Sequence, residues 1–118
     1  MRAKDAVGRY GENVAAAHLV RAGWQVLDRN WRGVGGELDI VALEGTELVV
    51  VEVKTRSGDG FGHPAEAVTP RKLARLRRLA GQWLAGHDIH PASVRIDVLA
   101  VRTARAGAAT VEHLRGVC

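Results

Sequence analysis

ELDIVALEGTELVVVEVK, residues Glu37–Lys54, is the stretch that decides the fold. Two runs rich in aliphatic residues, Glu37–Leu43 and Glu47–Lys54, flank Gly45-Thr46, a two-residue turn of the kind that starts with glycine. Such a turn sets the register of a β-hairpin: Leu43 opposes Leu48, Val41 opposes Val50, Asp39 opposes Glu52 and Glu37 opposes Lys54. Side chains alternate along strands, so these eight residues share one face of the sheet. A slip of one residue would send Asp39 and Glu52 to opposite faces. Val49, Val50 and Val51 in succession predict a strand covered on both sides.

Outward from the hairpin, residues 5–22 read as a helix that stops at Gly23. Gly8, Gly11, Glu12, Ala15, Leu19 and Ala22 recur at helical spacing, a face of small residues carrying one carboxylate. Trp24–Asp28 reads as a short strand, followed by the glycine-rich connection Gly33–Gly36. Residues 57–68 read as a loop marked by Gly58, Gly60, Gly62 and Pro64. Thr69 as N-cap and Pro70 as first helical residue then open a second helix, which ends at Gly86. Its apolar side is Leu73, Leu76, Ala80, Trp83 and Leu84; Arg71, Arg75, Arg78 and Gln82 line up opposite. Val94–Val101 is a strand, and Thr110–Leu114 a weaker one. The order α-β-β-β-α-β predicts an α/β fold, a mixed central sheet flanked by helices.

Composition narrows the class. The chain has 118 residues, 47% hydrophobic and 25% charged, which suits one domain, 1–118, with its core over about 5–101. A chain of this size buries enough surface to need no disulfide or metal staple. Its longest aliphatic run, Leu48–Val51, is far shorter than the ~18 residues of a membrane span. No apolar signal segment follows the N-terminus, and Cys118 is the single cysteine, so no internal disulfide or multi-cysteine zinc site is expected. A cytoplasmic protein without membrane contact is the expectation. The net charge of +4 comes from Arg71, Lys72, Arg75, Arg77 and Arg78; without them 12 basic residues face 13 acidic ones. Such a block is either a solvated helix face or a surface for a polyanion.

Chemistry concentrates at Asp39, Glu52 and Lys54. Like charges directly opposite destabilise a sheet unless a cation lies between them. Mg²⁺ takes oxygen ligands and is often held by one or two carboxylates plus a substrate phosphate. It would polarise a phosphodiester and acidify water, with the Lys54 ammonium orienting that water or stabilising charge on the phosphate. The bland alternative is a Glu52–Lys54 surface ion pair beside a turn aspartate, worth ~0–1 kcal/mol.

These residues also carry a resemblance. Asp39, a gap, then Glu52-Val53-Lys54 resembles the D…(D/E)xK signature of restriction-endonuclease-like proteins. Five segments in order, Gly8–Glu12, Arg29–Arg32, Gly36–Ile40, Val51–Arg56 and Pro64–Val68, resemble the bacterial YraN family. That family is compared with archaeal Holliday-junction resolvases. The likeness runs from about Ala6 to Val101 and implies a restriction-endonuclease-like core. It further implies Asp39, Glu52 and Glu12 as metal-binding acids, with the Val53 backbone carbonyl as a further ligand. Lys54 is implied as the catalytic lysine and Mg²⁺ or Mn²⁺ as the cofactor. Glu37 would be an outer ligand or the partner of Lys54. Leu38 stands where the superfamily often has proline.

Arg71, Lys72, Arg75 and Arg78, with Thr55 and Arg56 nearby, are then candidates for contacts to a nucleic acid, DNA being expected, since guanidinium binds phosphate bidentately. His87 and His90 are expected to be solvent-exposed, and His63 is a weak candidate for substrate contact. Trp24, Trp31 and Trp83 are expected to pack; five aromatics make no base-stacking platform. The expectation is a Mg²⁺-dependent endonuclease or nuclease-like protein acting on DNA, branched DNA included, and able to dimerise. The alternative is a non-catalytic nucleic-acid-binding or partner-binding module on the same fold.

Overall fold

A computed structural model describes residues 3–57, 68–104 and 107–117. Helix α1 (Ala3–Arg21) leads into strands β1 (Gln25–Gly33), β2 (Gly36–Glu44) and β3 (Glu47–Ser57). Helix α2 (Pro70–Ala85) and strands β4 (Ser93–Thr103) and β5 (Thr110–Leu114) follow. The five strands lie in one sheet in chain order. β3 and β4 are parallel, the other neighbours antiparallel. Parallel neighbours need a crossover connection, and α2 lies within it. The α-β-β-β-α-β core is the one expected, with β5 added at the edge.

The hairpin has the expected register. Val41 pairs with Val50 and Leu43 with Leu48, and Gly45 takes φ +60°, the turn conformation that glycine adopts without steric cost. Val49 and Val51 pack with Leu19, Ile40 and Leu99 on the α1 side; Val50 packs with Leu76, Leu79 and Trp83 on the α2 side. Both faces of β3 are thus covered, as three successive valines require. Thr69 caps α2 by accepting from the Lys72 N–H at 3.1 Å.

Some expectations change. β1 is no short strand ending at Asp28: it continues to Gly33 and pairs Arg32 with Glu37 and Gly33 with Gly36. The expected glycine-rich connection is therefore strand apart from Val34-Gly35, because β2 offers a partner along its whole length. Gln82 does not stand with the arginines in solvent. Its side chain accepts from the Val34 N–H (2.8 Å) and donates to the Val34 carbonyl (3.1 Å), clamping the β1–β2 tip to α2. His87 is packed rather than exposed, stacked on Trp83 with ring centroids 3.9 Å apart; His90 is exposed. Trp24 and Trp83 are buried as expected, and Trp31 packs against the α2-side core. His63, the glycine-rich loop from Gly58, most of the Pro64–Val68 segment and Cys118 lie outside the described residues.

A charged network that the sequence reading did not anticipate sits at the hairpin-turn end of the sheet. Glu44 and Glu47 face each other across β2 and β3. Arg95 answers both, at 2.9 and 2.8 Å, and also reaches Asp97 at 2.8 Å. Asp97 is completely buried and further accepts from the Gly116 N–H and contacts His113 Nε2 at 2.7 Å. Burial alone would raise its carboxyl, but Arg95, the Gly116 N–H and His113 together hold it below the usual range. These bonds fasten β5 and the following turn to β4. Removing one partner of a buried ion pair leaves the other uncompensated. Asp97→Ala should therefore lower stability by about 3–5 kcal/mol in chemical denaturation, while Ala at exposed Asp88 should stay within about 0.5 kcal/mol of wild type.

Candidate functional site

The hairpin ladder stops before its charged end. Pairing of β2 with β3 runs from Glu44–Glu47 to Ile40–Val51 and no further. Beyond that point β2 remains paired with β1, and β3 with β4. The two strands fork, and the Asp39 carboxylate accepts the Val53 N–H at 2.9 Å. A side chain thus satisfies a donor that would otherwise be lost from the ladder.

A second irregularity lies beside the fork. Arg29–Ile40 and Trp31–Leu38 bracket Asn30 and Asp39 in the β1–β2 pairing. Asn30 has φ 53°, the one described non-glycine residue with positive φ. Asparagine tolerates this left-handed conformation better than most residues. The strand alternation breaks here: Leu38 and Val41 both join the α2-side core, while Ile40 joins the α1 side. The break displaces Leu38; Asp39 keeps the face it shares with Val41, the α2 side, and faces Glu52.

Asp39 and Glu52 line a cleft of ≈ 320 Å³ with Gly36, Glu37, Lys72, Arg75 and Leu76. A second hollow of ≈ 460 Å³, lined by Arg32, Gly33, Gly35, Gly36 and Glu37, adjoins it through Gly36 and Glu37. Glu52 is buried and ion-paired with the Lys72 ammonium; Lys54 Nζ lies 4.0 Å from the same carboxylate oxygen. This is no surface ion pair. Burial, reinforced by the Glu52 charge, pushes the Asp39 carboxyl up to about 7. Burial and the Lys72 charge lower Lys54.

Glu12 approaches from the opposite layer. Gly11 packs so tightly on β3 that a Cβ there would lie 1.8 Å from Thr55 Oγ1. Only glycine permits this approach, and it brings the next residue to the fork. Burial raises the Glu12 carboxyl above the usual range, an effect the Asn30 side chain partly opposes. Its Oε1 is buried and finds no hydrogen-bond partner among the described residues. Among those residues no three Asp, Glu, His or Cys side chains converge closely enough to hold a metal by themselves. The donors nevertheless suit a hard divalent cation: two facing carboxyls, and a partnerless oxygen on Glu12. Mg²⁺ commonly takes one or two carboxylates and leaves its other positions to water and phosphate.

The other expected residues fall in two groups. Lys72 does not share the exposed face of α2 but reaches into the fork. Arg71, Arg75 and Arg78 are exposed, as is Arg56, with Arg75 at the cleft. Glu37 is not paired with Lys54; it is exposed and pairs with Arg32 at 3.4 Å, its neighbour across β1. At Val53 the N–H is the group that engages a site acid. Asn30 is what sequence reasoning missed at the site, and Lys72, expected among the nucleic-acid contacts, is paired with Glu52 instead. The available signal for Asn30 was a residue tolerant of positive φ within an otherwise regular strand.

The profile of Uncharacterised protein family UPF0102 matches residues 11–101. The chain belongs to that family. A UPF0102 protein of Beutenbergia cavernae is 66% identical over 117 residues, 99% of each chain. UPF0102 proteins of Frankia alni and Streptomyces coelicolor are 59% and 56% identical, covering 98% and 99% of this chain and 97% and 92% of their own. The match to the UPF0102 profile spans every site residue from Glu12 to Arg78. No helix among the described residues is long and apolar enough to cross a membrane.

Two measurements check this geometry. Because the folded Asp39 carboxyl titrates near 7 rather than at its ordinary 3.8, the folded state holds a proton that the unfolded chain has released between these values. Its contribution to stability is therefore full below about pH 4 and is lost as pH rises through about 7. Asp39→Asn, which keeps an acceptor for the Val53 N–H, should raise the melting temperature at pH 8 and leave it nearly unchanged at pH 4. Gly11→Ala should cost about 1–3 kcal/mol in denaturant unfolding, with Thr55→Ala in the same chain restoring part of the loss.

Proposed function

We propose that this UPF0102 protein is a divalent-metal-dependent nuclease of restriction-endonuclease-like architecture, acting on DNA and akin to archaeal junction resolvases. The observation that carries this reading is the fork itself. Half-buried Asp39 and buried Glu52 converge beside two lysines, over a cleft edged by Arg75. A structural ion pair needs one acid and one base. Several acids gathered where burial disfavours their charge are the mark of a functional site.

Asp39 and Glu52 would hold the cation, with Glu12 supplying its partnerless oxygen from the other layer and the Val53 carbonyl a further ligand. When bound, Mg²⁺ or Mn²⁺ supplies charge neutralisation at the phosphate and acidifies water. Lys54, its acidity increased by burial and by Lys72, stands two residues along the same strand face from Glu52. There it hydrogen-bonds the attacking water or the charge growing on the phosphate. Arg75 at the cleft, with Arg71 and Arg78 on the same helix, provides bidentate contacts to the flanking backbone. Arg56 extends the cationic surface along β3. Phosphate contacts position a duplex without reading its sequence, so this surface favours substrate recognition by shape.

The test is incubation with single-stranded, duplex and four-way-junction DNA in Mg²⁺ or Mn²⁺. Asp39→Ala and Lys54→Ala should each reduce cleavage by about 10²-fold or more. Arg75→Glu with Arg78→Glu should weaken binding at low salt and flatten its salt dependence. Cleavage persisting unchanged in both site variants would trace to contamination and defeat the assignment. Salt-dependent binding without cleavage in any cation would instead establish the non-catalytic module.

A further inference from the structure

Lys72 belongs by sequence to the arginine-rich block, yet its side chain is only 21% exposed, and it pairs with a Glu52 side chain that is 9% exposed. Lys54 addresses the same oxygen, Oε2 of Glu52. Two ammonium groups thus bear on one carboxylate oxygen, and the Lys72 charge lowers Lys54. One counter-ion suffices to compensate a buried carboxylate.

The two lysines differ in mobility. Lys54 is anchored within β3, which is paired with β4 along this stretch. Lys72 stands in the first turn of α2 and reaches Glu52 on a flexible four-carbon stem. It lines the same cleft as Arg75. A divalent cation on Glu52 would face an ammonium at contact distance, a strong repulsion in a half-buried setting. Lys72 is the group able to withdraw, and the cleft is where it would turn.

We propose that Lys72 is the exchangeable counter-ion of Glu52, compensating the carboxylate in the cation-free protein and yielding it to the divalent cation. This rests on the metal-dependent reading above and adds a consequence to it. The freed ammonium is released at the cleft where that reading puts the phosphodiester, so Lys72 would serve the acid before the cation arrives and the substrate backbone afterwards. Lys54 keeps its place throughout.

The experiment is Mn²⁺ binding to the intact protein without nucleic acid, read by the electron paramagnetic resonance of free Mn²⁺ and by calorimetry. Lys72→Met keeps the unbranched stem and removes the charge; Lys72→Gln is the second variant. Both should bind Mn²⁺ at least about fivefold more tightly than wild type. Both should also melt at a lower temperature than wild type without cation and recover with Mn²⁺. In wild type, the NMR signal of the Lys72 side-chain ammonium should move on titration with Mg²⁺, which requires no variant to fold. Equal or weaker Mn²⁺ affinity in folded variants overturns the exchange while leaving the metal site standing. So does a Lys72 signal that stays fixed while backbone signals of Asp39 and Val53 shift. Folded wild type and variants that all fail to bind Mn²⁺ would bring down the metal-dependent reading, and the exchange with it.

Discussion

Everything at the candidate site depends on one interrupted ladder. β2 and β3 pair from the turn to Ile40–Val51, then separate, and the Asp39 carboxylate takes the Val53 N–H. Had pairing continued, the region would be a closed sheet with a layer on each face. The fork lets groups from both layers meet: Glu12 with α1 on one side, Lys72 with α2 on the other. Asn30 in its left-handed conformation forms the β1 boundary of this opening, and its side chain partly opposes the rise of the Glu12 carboxyl. Irregular backbone of this kind persists only where its surroundings over-determine it. Here the bonds of Gln82 to Val34 and the packing of Trp31 on the α2 side supply that support.

The two ends of the sheet handle charge in opposite ways. At the turn end, Glu44, Glu47 and Asp97 are matched by Arg95, with Arg115 and His113 adding further bonds. The Asp97 carboxyl is held down, so its charge contributes to stability at neutral pH. At the fork, Asp39 is raised by burial and by Glu52, and Glu12 keeps an oxygen without a partner among the described residues. One network is satisfied and structural; the other is left with a carboxyl raised by burial and an unsatisfied carboxyl oxygen. Natural proteins place such locally unfavourable arrangements at functional positions and compensate elsewhere. The deeply buried valine and leucine strands between the two networks are that compensation.

Much of the architecture was legible because it follows from local rules. A glycine-led two-residue turn defines the register, so Val41–Val50 and Leu43–Leu48 follow, and with them the shared face of Asp39 and Glu52. Thr69-Pro70 marks a helix start by the chemistry of a cap. Most of the hidden features involve partners distant in the chain. Arg29–Arg32 carried no strand reading, and Gly33–Gly36 read as a connection, because the strand character there comes from pairing with β2. His87 read as exposed because Trp83, its stacking partner, lies one turn earlier on a helix that ends between them. Arg95 and Asp97 share one strand face, but only the meeting of β2, β3, β4 and β5 shows Glu44, Glu47, Arg95, Asp97 and His113 closing on each other.

By itself the sequence determined the order of elements, the hairpin register and the convergence of Asp39, Glu52 and Lys54, since turn geometry and strand alternation act over a few residues. It also located the excess positive charge on one helix. The tertiary structure alone decided where that helix points its charges. Helical periodicity sorts residues into faces but does not say which neighbour a long side chain at the border will reach. Lys72 sits at that border, and the packing of α2 over the fork turns it from a solvated cation into the counter-ion of Glu52. Gly11 is the complementary case from the other layer: its place on a small-residue face was visible, but its contact with Thr55, which brings Glu12 to the fork, exists only once helix and sheet are packed.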